Sequence, residues 1–224
     1  MAKVIIFGTG KGADIAYRYL TADSDHEICG FTVQKQFIAA QEFRGQPVVD
    51  FESVQKRFPP SHFKMFIPLG FQNMNRLRAS IYAAAKEKGY VLISYVHSSV
   101  KTIEELRIGE NCFILENQSI NLDVTIGNDV TMWSGNHIGD RSVIGDHVWL
   151  TSKVCIGGDV RVEPFCFLGM SATISNKLTV AEGTFVGANA LISKGTEKNG
   201  VYVVAGTPCA ALPSDKFLKI ANID

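Results

Sequence analysis

Neither sign of charge predominates in this chain. Lys plus Arg and Asp plus Glu each number 22 among 224 residues, so the formal net charge is zero. Without a net field there is no general attraction for nucleic acid, and no long Lys/Arg run supplies a local one. Nor does any segment reach the roughly 18 uninterrupted apolar residues of a membrane span, and the opening run Val4–Phe7 is too short for a signal peptide. The expectation is a cytoplasmic protein with no membrane and no nucleic-acid partner. Cysteine is scarce as well: five residues, at 29, 112, 155, 166 and 209, with no Cys-x-x-Cys pair. That excludes a disulfide framework, and with no clustered Cys/His set no metal site is expected.

What is present is apolar residue, 46% of the chain, enough for a sizeable core in one large or two small domains. From residue 108 that content is strictly periodic. Fifteen hexads follow, opening with IGENCF, ILENQS, INLDVT and IGNDVT and running to ISKGTE. Ile, Val, Leu or Met begins every one. At the overall apolar frequency, fifteen such hits in one register arise by chance roughly once in a hundred thousand.

A period of six fits neither a helix nor a hairpin. It predicts a parallel β-helix in which each hexad contributes one short strand and one corner, and three hexads close a triangular coil. Residues 18 apart then stack. Position one points into the prism, and position five, with Cys112, Val124, Val130, Ser142, Cys166 and Ala172 among its occupants, takes small or apolar residues. Glycine, recurrent at position two, is expected to ease the corners. Cys112 and Cys166 lie three coils apart, ~14 Å at ~4.8 Å per strand, so they are read as core residues and not as a disulfide.

Residues 1–95 have a different pattern. Lys3–Phe7, Glu27–Val33, Lys64–Pro68 and Tyr90–Ile93 read as strands, and Ile15–Leu20 and Asn73–Lys88 as helical, which implies a small parallel Rossmann-like sheet. The fold class expected is therefore an α/β domain, 1–95, followed by a left-handed parallel β-helix with a tail, 103–224. After the first strand, Gly8-x-Gly10-x-x-Ala13 matches a loosened dinucleotide fingerprint, so Gly8, Gly10 and Lys11 are candidate contacts for a diphosphate at a helix N-terminus. No acidic residue follows the second strand in Gly30–Gln34, which argues against NAD and against an oxidoreductase.

With KVIIFGTG at the start, MWSGNHIGDRSVIGDHVWLTS in the ladder and GVYVVAGTP near the end, the chain resembles the sialic-acid, bacillosamine and perosamine group of sugar acyltransferases. The resemblance implies an acetyl-CoA-dependent N-acetyltransferase acting on an amino-deoxysugar carried by UDP, dTDP or GDP. It implies a homotrimer with acetyl-CoA in the groove between β-helices and the nucleotide sugar on the N-terminal domain. An O-acetyltransferase of the same fold and a non-catalytic member remain the alternatives.

The family's usual histidine falls at the position occupied here by Asp140, within Asn136-His137-Ile138-Gly139-Asp140. An aspartate, with an ordinary pKa of about 3.9, is a weak base unless burial raises it. Three readings stay open: Asp140 as base or as orienter of the amine, His137 as base, or no strong base. Gly158, 18 residues after Asp140, is the candidate oxyanion donor through its N–H. Asn176 and Lys194 continue that column as candidate contacts to pantetheine and to the CoA phosphates. The resemblance adds Gly187, Gly206 and Pro208 toward the CoA end. His147 and His97 are read as structural.

Overall fold

The structure, a computed structural model, describes residues 1–100, 102 and 104–221. Residue 103, where the β-helix domain is expected to begin, and 222–224 of the tail lie outside the described residues. Among the described residues no helix is long and apolar enough to cross a membrane.

The N-terminal domain is a five-stranded sheet with helices on it. Strands β1 (Lys3–Phe7), β2 (Glu27–Val33), β3 (Glu42–Phe43), β4 (Gln46–Asp50) and β5 (Lys64–Phe66) lie in the order β3-β4-β2-β1-β5, with helix α1 (Lys11–Ala22) after β1 and α2 (Arg76–Glu87) after β5. The run Val4-Ile5-Ile6-Phe7 is continuously apolar because β1 is covered on both faces. Val4 and Ile6 pack with Ala16, Leu20 and Phe31, whereas Ile5 and Phe7 pack with Val54, Met65 and Ile81.

The sheet departs from expectation in three places. The edge hairpin β3–β4 is antiparallel, turning through Arg44 (φ 52°) and Gly45 (φ 72°), the two positive dihedrals of a tight hairpin turn. The segment 90–93 contributes only a single bridge, Met65 to Leu92. Helix α2 starts at Arg76 and not at 73, because Asn73, Met74 and Asn75 are all left-handed (φ 49°, 50° and 66°).

The ladder forms a left-handed β-helix with three parallel sheets. Their strands centre on residues 107–108, 113–114 and 119–120 and repeat every 18 residues. Fourteen of the fifteen position-one residues are buried, and Ile108 is half-buried. Position five is buried at thirteen of its fifteen sites, including Cys112 and Cys166 at 0% exposure, and half-buried at Leu178 and Thr196. One strand joins from before the hexads, Tyr95–Val96 pairing with Phe113–Ile114, and one from after them, Val201–Tyr202 pairing with Phe185–Val186.

Glycine does not make the corners in the expected way. In fourteen of the fifteen hexads the left-handed corner residue is at position four, with φ between 55° and 62° at Asn111, Asp129, Arg141, His147, Lys153 and Phe165 among others. Position-two glycine serves the spacing between coils. A Cβ on Gly139 would lie 2.5 Å from Gly157 C, and one on Gly157 would lie 2.0 Å from Asn176 Oδ1.

After the ladder the chain runs exposed through 203–213 into a short helix, α3 (Ser214–Ala221). Phe217, Leu218 and Ile220 on it are exposed, as are Val203 and Val204 before it.

Candidate functional site

Two regions combine groups that can bind or react. The first is a cleft where the N-terminal domain meets the β-helix. Its floor is the end of β1 and the start of α1: Phe7, Gly8, Gly10, Lys11, Gly12 and Ala13. Gly8 turns at φ 102°, and Gly12 lets α1 approach the loop after β5, where a Cβ would sit 2.3 Å from Pro68 O. Gly10 is the residue before the helix and makes no side-chain cap. The first N–H groups of α1 are therefore available to an anion. The structure thus brings Gly8, Gly10 and Lys11 together on one cavity of about 440 Å³.

The opposite wall is aromatic, and sequence reasoning missed it. Position six of every third hexad projects from the β-helix sheet that faces the N-terminal domain, and its occupants are Phe113, Thr131, Trp149, Phe167 and Phe185. Phe113 packs edge-on to Phe66, Phe71 meets Trp149 and Phe167, and Phe167 stacks on Phe185 at 4.8 Å. Trp133 and Trp149 line the cleft. An aromatic recurring at a spacing of 18 is the signal that would have marked this as the docking face.

A buried polar network fixes one wall against the other. The Arg78 guanidinium, 1% exposed, lies 3.0 Å from Asp129 Oδ2, and Asp129 is fully buried. Arg78 also donates to the carbonyls of Asp129 (2.9 Å), His147 (3.2 Å) and Gly70 (3.3 Å). Asp129 accepts from Asn111 Nδ2 at 2.7 Å and meets His147 Nδ1 at 2.8 Å. Burial pulls the Arg78 pKa down while Asp129 holds it up. The His147 ring, held by Asp129, stacks on Phe165.

The second region is the column Asp140–Gly158–Asn176–Lys194, which stacks as the 18-residue rule requires. Asp159 N donates to Asp140 O at 2.8 Å and Lys177 N to Gly158 O at 3.0 Å. Asp140 is half-buried, and its Oδ1 accepts from the backbone N–H of Leu122, one coil below, at 3.2 Å. Asn128, Asp146 and Asn176 make the same bond to the residue 18 before each of them. Position-three Asp or Asn is therefore an inter-coil cap. The consequence for Gly158 is a correction: its N–H already donates to Asn176 Oδ1 at 3.1 Å. Gly158 has no side chain to cap the coil below in turn, and among the described residues the N–H of Asp140 has no partner.

His137 lies on the adjoining sheet between Ser119 and Cys155. Its Nδ1 meets Ser119 Oγ at 3.2 Å. Asn176 and Lys194 are exposed along the column, and Gly206 and Pro208 are exposed on the tail. Gly187 does not join them: it is buried, donates to Tyr202 O at 2.7 Å and lies under Val203.

No protein-family model matches the chain. Solved structures do share its fold. PerB from Caulobacter crescentus, solved with CoA and GDP-perosamine, matches with a TM-score of 0.79 at 22% identity, over 92% of this chain and 98% of its own. The acetyltransferase domain of PglB from Neisseria gonorrhoeae gives 0.76 at 16%, over 90% and 96%. WeeI from Acinetobacter baumannii gives 0.75 at 16%, over the same shares. The fold is shared over about nine-tenths of the chain.

Proposed function

We propose that the protein is an acetyl-CoA-dependent N-acetyltransferase whose acceptor is the amine of a nucleotide-linked amino-deoxysugar. The observation that carries this is the pairing of an anion-ready helix N-terminus with a β-helix wall in one cleft. The likeness in fold, over 92% of the chain, to a protein solved with CoA and GDP-perosamine supports it.

The amine lone pair attacks the thioester carbon and the oxyanion forms, the amine proton passes to a base, the C–S bond breaks as the carbonyl re-forms, and the base returns that proton to the departing thiolate so that CoA leaves as the thiol. His137 is the base in this reading. What supports it over Asp140 is that Asp140 caps Leu122, as Asn128 and Asn176 cap their own partners, whereas His137 engages Ser119 through Nδ1 and among the described residues has Nε2 free. The N–H of Asp140, uncapped beneath Gly158, is the oxyanion donor. Asn176 and Lys194 line the acyl-donor groove, which is completed by a second copy in a homotrimer.

Thiol release from acetyl-CoA with a panel of UDP-, dTDP- and GDP-linked amino sugars tests the reading. No release with any of them sinks it. Asp140→Asn preserves the cap and should change turnover little, whereas His137→Asn should lower kcat about a hundredfold or more. The reverse order returns the base role to Asp140. Light scattering at three chain masses checks the trimer.

A further inference from the structure

We infer that the cleft beside α1 is the sugar subsite and that its two tryptophans read the sugar ring, with the nucleoside lying outside it; this rests on the proposed acceptor being a nucleotide sugar. In an open α/β sheet the ligand crosses the carboxyl ends of the strands where the strand order reverses. In the order β3-β4-β2-β1-β5 that point lies between β1 and β5. The diphosphate then sits on the N-terminus of α1, with one end of the ligand over β2 and the other over β5. The cleft is wholly on the β5 side: Pro68, Leu69, Gly70 and Gln72 line it, and no residue of β2 or of 34–37 does. A nucleoside over the end of β2 would leave the sugar as the group that enters.

The wall suits a deoxysugar. Trp133 and Trp149 offer flat apolar surface for a ring face, and Trp149 offers something more. It is 8% exposed, and its indole Nε1 is buried with no acceptor among the described residues. A buried donor left unpaired is costly, and a hydroxyl of a bound sugar supplies an acceptor. Discrimination of this kind is large when the ligand lacks the matching group.

These are the only two tryptophans in the chain, so the intrinsic fluorescence of the full protein reports on this cleft alone. The experiment titrates it with UDP, dTDP and GDP, and with each nucleotide carrying an amino-dideoxyhexose, without acetyl-CoA. The sugar nucleotide should shift the emission and bind more tightly than its bare diphosphate. Trp149→Phe, which keeps a smaller aromatic ring and deletes the N–H, should weaken the sugar nucleotide about five- to tenfold and leave the bare diphosphate within about twofold. Trp133→Leu should act in the same direction and carries the test should Trp149→Phe unfold on melting. The inference is overturned if both variants weaken the bare diphosphate as much as the sugar nucleotide, which would put the nucleoside in the cleft. It is also overturned if neither variant reduces the sugar's advantage, or if no nucleotide binds. Sugar-dependent binding without acetyl transfer would leave the subsite standing and refute the acetyltransferase reading alone.

Discussion

Asp129→Ala gives a strong test of how the two domains are held. Arg78 is 1% exposed and Asp129 is fully buried, so the variant leaves a guanidinium in the interface with no counter-charge. It also removes the acceptor of Asn111 Nδ2 and the partner of His147 Nδ1. Breaking one side of such a pair costs about 3–5 kcal/mol, against a typical total stability of about 5–15 kcal/mol. At about 2–4 °C per kcal/mol for a chain of this size, calorimetry should show Tm falling by roughly 6–20 °C. The double variant Arg78→Met/Asp129→Ala buries no unpaired charge and should melt above Asp129→Ala alone. If the double variant loses the sum of the two single losses, the pair is not coupled and the account of the interface is wrong.

Three further outcomes follow from particular groups. Burial pushes the thiols of Cys112 and Cys166 up to about 12, so N-ethylmaleimide at pH 8 should modify exposed Cys155 and Cys209 in the native protein and spare those two, by peptide mass; equal labelling would contradict the ladder. Hydrogen bonds from Ser98 and Tyr95 hold the Asp23 carboxyl down at about 2, from an ordinary 3.8. A depressed carboxylate stabilises the fold above its unfolded pKa, so that contribution should be lost as pH falls from about 4 to 2, with a shallower loss in Asp23→Asn by denaturant titration. Gly157→Ala forces a Cβ to 2.0 Å from Asn176 Oδ1 whereas Gly158→Ala meets Asp140 O at 3.4 Å and Asp140 N at 3.8 Å, both ordinary contacts, so melting should drop for the first and hold for the second.

The β-helix was legible because its signal is repeated fifteen times and depends on burial alone. Position one and position five have no alternative in a narrow prism. The corner residue was not legible, since the left-handed position four accepts Arg141, His147, Lys153 and Phe165 as well as Asn111 and Asp129, and so leaves no fixed residue type. The aromatic docking face was written at every eighteenth residue but is diluted in a six-residue reading by the two faces that carry Ser119, His137 and Thr125 at the same position. Arg78 was hidden for another reason. A lone arginine in a helix reads as surface, and only the fold brings Asp129 to it from 51 residues away. The glycine loop was legible as chemistry and silent about its opposite wall, because that wall comes from another domain.

The column at Asp140 shows how a rigid scaffold separates a structural residue from a reactive one. Asp140 fills the capping role of Asn128 and Asp146, so its carboxylate alone does not mark a site. The irregularity is one coil above it. Gly158 carries no cap, its φ is not left-handed, and the space above the N–H of Asp140 holds no protein side chain at that position. Gly158→Asn should therefore restore the column. One added inter-coil hydrogen bond is worth about 0.5–1.5 kcal/mol, and losing a glycine at a compatible position adds about 0.4–1 kcal/mol, so Tm should rise by a few degrees. If the N–H of Asp140 receives the oxyanion, the same substitution should lower kcat about a hundredfold or more, the cost of one such donor. A protein that is more stable and nearly inactive would locate the donor at Asp140. Gain of stability with full activity would refute that assignment. In the latter case Asn176→Ala, which frees the N–H of Gly158, should raise kcat if Gly158 is the donor instead.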